Sequence, residues 1–130
     1  MKRIILALSI LTVILAGCKK HDNQGDAPSG EGVIGTWQSV AVLNDIGNGK
    51  TPWRDLPAKD RTLIYLYANG TAKGLNDYKS YTLEDEGRIT FTKADNSKIS
   101  LIYTLANNKE MIMTQGACIE ACLIRYIKVK

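Results

Sequence analysis

Along residues 61–129, apolar side chains recur at every second position, and short clusters of turn-forming residues break the recurrence. Ile99, Leu101, Tyr103 and Leu105 alternate with Ser100, Ile102 and Thr104, and Ile89 and Phe91 alternate with Arg88, Thr90 and Thr92. A period of two belongs to strands with one buried face and one wetted face. Between the runs stand Asn69-Gly70, Glu86-Gly87, Ala94-Asp95-Asn96-Ser97 and Asn107-Asn108, residues that tolerate positive φ or bond their own backbone. Asn69-Gly70 suits a two-residue hairpin, in which both central residues take positive φ. The pattern predicts about eight strands, over 35–43, 61–68, 71–76, 79–84, 88–93, 98–105, 110–114 and 123–129. Consecutive hairpins at this spacing make an up-and-down antiparallel meander. Eight strands can close into a small β-barrel, which removes edges that would otherwise aggregate. The expected class is all-β. Thr51–Asp60, TPWRDLPAKD, interrupts the meander; two prolines and a tryptophan predict a short helical turn or capping loop there.

A different kind of segment precedes the domain. Ile4–Ala16 is apolar over 13 residues apart from Ser9 and Thr12. As a helix it would rise roughly 20 Å, well short of the ~30 Å hydrocarbon core of a bilayer. Lys2 and Arg3 before it and small residues after it fit a cleaved export signal. Leu15-Ala16-Gly17-Cys18 resembles the lipobox of bacterial lipoproteins, an aliphatic residue and two small ones before a cysteine. The resemblance implies that the Cys18 thiol receives a diacylglycerol, that residues 1–17 are removed, and that the new amino group is acylated. Two or more acyl chains give a stable anchor, so the implied partner is a membrane of the bacterial cell envelope. Lys19 stands where an aspartate would retain such proteins in the inner membrane, which favours the outer membrane; its periplasmic and surface faces both stay open.

Removing Lys2 and Arg3 with the signal leaves 15 basic against 13 acidic side chains, a formal +2. That balance argues against nucleic acid as a partner. Residues 18–32 carry the lipidated cysteine and KKHDNQGDAPSGEG. This stretch has too little apolar surface to offset the entropy of ordering, so it is expected to be a flexible tether. His21, in the tether, is read as solvated rather than as a metal ligand. Residues 33–130 form one domain, long enough for a modest core and too short for two.

Gly35-Thr36-Trp37 opens the first strand and Arg125 lies in the last. The lipocalins carry Gly-x-Trp on the first strand, and many place an arginine of the last strand over that indole. This chain resembles the short lipocalin-like domains of bacterial lipoproteins. The resemblance implies a barrel-closing pair, Trp37 with Arg125, held by cation–π attraction between neighbouring strands. Leu123, Arg125, Ile127 and Val129 share one face of the strand, so Arg125 would point with apolar residues. The domain departs from full-length lipocalins in being far shorter and in lacking a second motif, which argues against a large cavity.

An eight-stranded barrel is either filled by its own side chains or holds one small ligand. Trp37, Tyr65, Tyr67, Phe91, Leu101, Tyr103, Met111 and Met113 are bulky candidates for the interior. One reading has them fill it. The other has Trp37, Tyr65, Tyr67, Tyr103, Met111 and Met113 line an apolar pocket beneath the Trp53 loop, since Met adapts and Tyr carries a polar tip. Cys118 and Cys122 lie in GACIEAC; fully extended they would be about 13 Å apart, so a turn must bring them within disulfide range. In an oxidising compartment a disulfide stapling the last hairpin loop is expected. Glu84-Asp85-Glu86 is a solvated hairpin tip. With no nucleophile–base pairing, phosphate loop or metal-spaced cluster, the sequence points to no enzyme, no cofactor and no metal. Two readings remain: a lipid-anchored module binding a small apolar or amphipathic ligand, and a non-catalytic envelope protein that contacts a protein partner through the Trp53 or Cys118–Cys122 loop.

Overall fold

The computed structural model describes residues 27–45, 47–84, 87–116 and 121–130; the signal, Cys18, the first part of the tether and Cys118 lie outside the described residues. The strands are β1 (Gly35–Asn44), β2 (Arg54–Asp55), β3 (Leu63–Leu66), β4 (Ala72–Lys73), β5 (Tyr78–Glu84), β6 (Arg88–Lys93), β7 (Lys98–Ala106), β8 (Glu110–Thr114) and β9 (Cys122–Lys128), with a 3-10 turn at Ala58–Asp60. Every pairing is antiparallel, and the path β4-β3-β1-β9-β8-β7-β6-β5 carries eight strands, with β2 laid on β1. The two ends of that path nearly meet. A bridge joins Thr71 to Ser80, and the Tyr81 N–H donates to the Gly70 carbonyl at 2.8 Å. The molecule is therefore an all-β, nearly closed up-and-down barrel of eight strands, lipocalin-like in architecture.

The strand pattern agrees with the expected one to within a few residues, with instructive exceptions. The expected strand 71–76 contracts to Ala72–Lys73 because Gly74 turns to φ +80, where a Cβ would lie 2.0 Å from the Leu63 carbonyl oxygen. Thr51–Asp60 does contain the expected helical turn, but Arg54–Asp55 also pairs with β1, Ala41 opposite Asp55 and Val42 opposite Arg54. Asn69-Gly70 is not a two-residue turn. The Gly70 N–H donates to Tyr67 and the Tyr67 N–H to Thr71, with Gly70 alone at positive φ: a type I turn closed by a glycine bulge. The two-residue turn instead occurs at Asn107-Asn108, both left-handed at φ 51° and 54°, with the Lys109 N–H bonded to Ala106.

β1 and β9 close the meander, running in register from Trp37–Lys128 to Asn44–Cys122 with a bulge between Ser39 and Ala41. The Ser39 hydroxyl fixes the bulge by accepting the Thr62 N–H at 2.8 Å. Inside, Trp37, Tyr126, Phe91, Ile64, Leu66, Ile89, Met111 and Met113 are the largest fully buried side chains. The up-and-down path puts the β1–β2, β4–β5, β6–β7 and β8–β9 connections at one end. The β3–β4, β5–β6 and β7–β8 turns share the other end with the chain preceding β1.

That preceding chain corrects the tether expected over 18–32. From Pro28 onward it is packed on the barrel: the Pro28 carbonyl accepts from Thr36 Oγ1 at 3.2 Å and Ser29 bridges Gly35. Its composition offers little apolar surface, but its backbone carbonyls find donors. The glycine of Gly35-Thr36-Trp37 has a related cause, since at φ +148° a Cβ there would lie 2.8 Å from the Lys130 carbonyl oxygen.

Candidate functional site

The two ends of the barrel differ. At the end shared with residues 28–34, the Trp37 indole N–H donates to the Val33 carbonyl at 2.8 Å. Lys128 Nζ donates to the carbonyls of Gly30, Gly32 and Ile34 at 2.8, 3.0 and 2.8 Å. The same ammonium sits 4.8 Å from the centre of the Trp37 ring. Burial pushes the Lys128 pKa down, partly opposed by Glu31. Indole, ammonium and carbonyls together plug this end.

The opposite end holds a cavity of about 430 Å³. Leu101, Met113, Ile124 and Tyr126, from β7, β8 and β9, form its inner wall. Its rim comes from the β4–β5 turn at Leu75 and Asn76, from Tyr78 and Ile99, and from Thr114, Gln115 and Gly116 after β8. The strand period explains the wall, because Leu101, Met113 and Tyr126 all occupy inward positions. Gly116 lets the β8–β9 loop settle on Ile99, where a Cβ would lie 1.8 Å from Ile99 Cδ1. Tyr126 is 1 % exposed, and burial pushes its phenol pKa up to about 12. At the rim, Lys93 Nζ lies 5.3 Å from the centre of the Tyr78 ring.

The proposed barrel-closing pair does not form. The cation over Trp37 is Lys128, while the Arg125 guanidinium lies 5.1 Å from the centre of the Trp53 ring and 3.9 Å from Asp55. Register gives the reason. Lys128 stands opposite Trp37, whereas Arg125 stands opposite Ala41 beyond the bulge. Leu123, Arg125, Ile127 and Val129 do share a face, but it is the outer one, and Ile127 and Val129 are 38 % and 48 % exposed. Arg125 Nε is buried without a hydrogen-bond partner among the described residues.

Of the residues expected to line a pocket, Met113 alone borders this cavity. Trp37 and Met111 are buried in the core and Tyr103 packs against it. Tyr65 stands between the buried Ile64 and Leu66 and faces outward. Tyr67 belongs to the turn at the plugged end, where its carbonyl accepts the Tyr81 hydroxyl at 2.8 Å. Trp53 flanks a groove of about 410 Å³ with Val42, Asn44, Thr51, Pro52 and Arg54 on the outside of β1, so its loop does not roof the cavity. Phe91 packs inside against Tyr78 and Tyr81.

Sequence reasoning missed Tyr126, Ile124 and the Lys128 plug. The Ile124–Tyr126–Lys128 alternation was there to be read, but both faces of the last strand are apolar and the inner one was not distinguishable. Cys122 is buried at the start of β9, and its expected partner Cys118 lies outside the described residues. Glu84 accepts a hydrogen bond from Thr90 Oγ1 at 2.5 Å, and Asp85 and Glu86 lie outside the described residues. Among the described residues, no three His, Cys, Asp or Glu side chains are grouped to hold a metal ion, and no helix is long and apolar enough to cross a membrane. No family model matches the chain, and no curated protein and no solved structure is similar enough to count as a match.

Proposed function

We propose that this chain is a lipid-anchored binding module of the bacterial cell envelope, taking a small apolar or amphipathic molecule into the open end of its barrel. The carrying observation is the cavity of about 430 Å³, within the roughly 300–1,000 Å³ usual for ligand pockets. Its wall is apolar with few polar groups, as such sites are. Lipidation of Cys18 rests on the lipobox resemblance, and the outer membrane on Lys19. Residue 28 docks at the plugged end, so an anchored chain would turn its cavity away from the lipid. A Cys118–Cys122 disulfide, expected from the sequence, would brace the loop between β8 and β9.

The direct test is native mass spectrometry of the chain purified from bacterial envelopes, followed by organic extraction. A stoichiometric small molecule is the expected result, and a bare mass from envelopes of the native host would count against the reading. Cys18→Ala is expected to release the chain from membranes; retention would remove the lipoprotein assignment.

A second reading has one observation in its favour. Trp53, with the Arg125 guanidinium over its ring, stands on the outside of the barrel beside a groove of about 410 Å³, as a contact surface for an envelope protein partner would. Loss of a crosslinked partner in Trp53→Ala, with the cavity ligand retained, would support it.

A further inference from the structure

We infer that the cavity selects an uncharged molecule with a hydrogen-bond acceptor at its buried tip, and that the Tyr126 hydroxyl is the donor that recognises it. The inference rests on the cavity being the binding site, as proposed above.

The first observation is the charge of the wall. Leu101, Met113, Ile124 and Tyr126 inside, and Leu75, Asn76, Tyr78, Ile99, Thr114, Gln115 and Gly116 around them, include no acidic, basic or imidazole group. An ionised carboxylate or ammonium drawn into such a space would lose its water with nothing opposite in sign among the described lining residues to replace it, a heavy cost. Lys93, beside the rim residue Tyr78, is not part of the described lining. The Lys93 ammonium is already set over the Tyr78 ring, and it helps hold the Asp95 carboxyl below its ordinary range, after the two Ser97 hydrogen bonds that dominate that shift.

The second observation is the phenol. Tyr126 is 1 % exposed, forms part of the wall and makes no hydrogen bond to any described residue. Tyr81, the other buried tyrosine, donates to the Tyr67 carbonyl at 2.8 Å; the Tyr126 hydroxyl has no such acceptor among the described residues and is not one of the polar atoms sealed off without a partner, so it stays open to a ligand. Burial alone raises the Tyr126 pKa, so at neutral pH the group keeps its proton and is a donor. A ligand carbonyl or ether oxygen is the acceptor it lacks. Thr114 is less available, because its Oγ1 already accepts the Ile102 N–H at 3.0 Å. Asn76 and Gln115, exposed at the mouth, can meet a polar outer end.

The test uses three probes of one size: 2-acetylnaphthalene, 2-ethylnaphthalene and 2-naphthoate. Binding is measured by fluorescence titration of the full chain in lipid nanodiscs at pH 7.5, with protein-free nanodiscs as the partition blank. The ketone is expected to bind about threefold to tenfold more tightly than the ethyl compound, the value of one buried hydrogen bond, with the carboxylate weakest. Tyr126→Phe, which keeps the ring, is expected to erase the ketone's advantage and leave the ethyl compound unchanged. Met113→Trp is expected to fill the cavity and abolish binding of both. If the carboxylate binds best, the neutral-ligand inference is overturned while the binding module stands. If Tyr126→Phe keeps the ketone preference, the assignment of the donor is overturned. If none of the three binds, the cavity reading falls and this proposal with it.

Discussion

Two basic residues of the last strand, three positions apart, do different work. Lys128 gives three charge-assisted hydrogen bonds and covers Trp37. Arg125 lies over a surface tryptophan and near an Asp55 that is 88 % exposed. Charged hydrogen bonds contribute roughly 1.5–3 kcal/mol and exposed cation–π contacts roughly 0.5–1 kcal/mol. Lys128→Met is therefore expected to cost about 2–3 kcal/mol and Arg125→Ala about 1 kcal/mol or less, read as shifts in the urea midpoint. Equal losses would mean that the carbonyl cage contributes little. The sequence motif pointed to the right tryptophan and the wrong cation. A guanidinium and an ammonium look equally suited to an indole until register is known: Lys128 pairs with Trp37 on the inward face, whereas Arg125 lies three residues away on the outward one.

The elements were more legible than the residues. Alternation located the strands because turns between them are short and one face of most strands is wet. It failed on β9, whose two faces are both apolar, and on the chain before β1, whose order comes from backbone carbonyls rather than from side chains. It also could not tell which Asn or Gly pair makes a two-residue turn, since that depends on paired φ values. Asn107 and Asn108 both lie in the left-handed region, where a β-branched residue fits badly. Asn107→Val is expected to cost about 1–2 kcal/mol, measured by thermal unfolding; an unchanged midpoint would mean the turn relaxes to another type. The weakest seam is β4–β5, where β4 is two residues long and the Tyr81 hydroxyl clasps the Tyr67 carbonyl. Tyr81→Phe is expected to cost about 1 kcal/mol and to speed amide exchange at Tyr81 before it does so in β9.

At the scale of the molecule, the barrel sets a pH limit. Tyr126 titrates near 12 in the folded chain and near its ordinary value, about 10, when unfolded. The folded state thus holds that proton more tightly. The stability this contributes is complete below about pH 10 and is lost as pH rises through about 12, some 2–3 kcal/mol in all. Tyr81, raised in the same direction by burial and by Tyr103, adds to the same loss. Tyr126→Phe is expected to flatten the fall in unfolding free energy between pH 10 and 12. An identical slope would mean that the phenol is already ionised in the folded barrel.

The plug has a mechanical meaning. Residues 28–34 are fastened to the barrel by the Thr36 hydroxyl, the Trp37 indole and the Lys128 ammonium. A pull on the chain ahead of residue 28 would load these few bonds before any rung of the β1–β9 ladder. They form a fuse: under tension the short strap peels first, lengthening the leash by several residues, while the far end of the barrel keeps its shape.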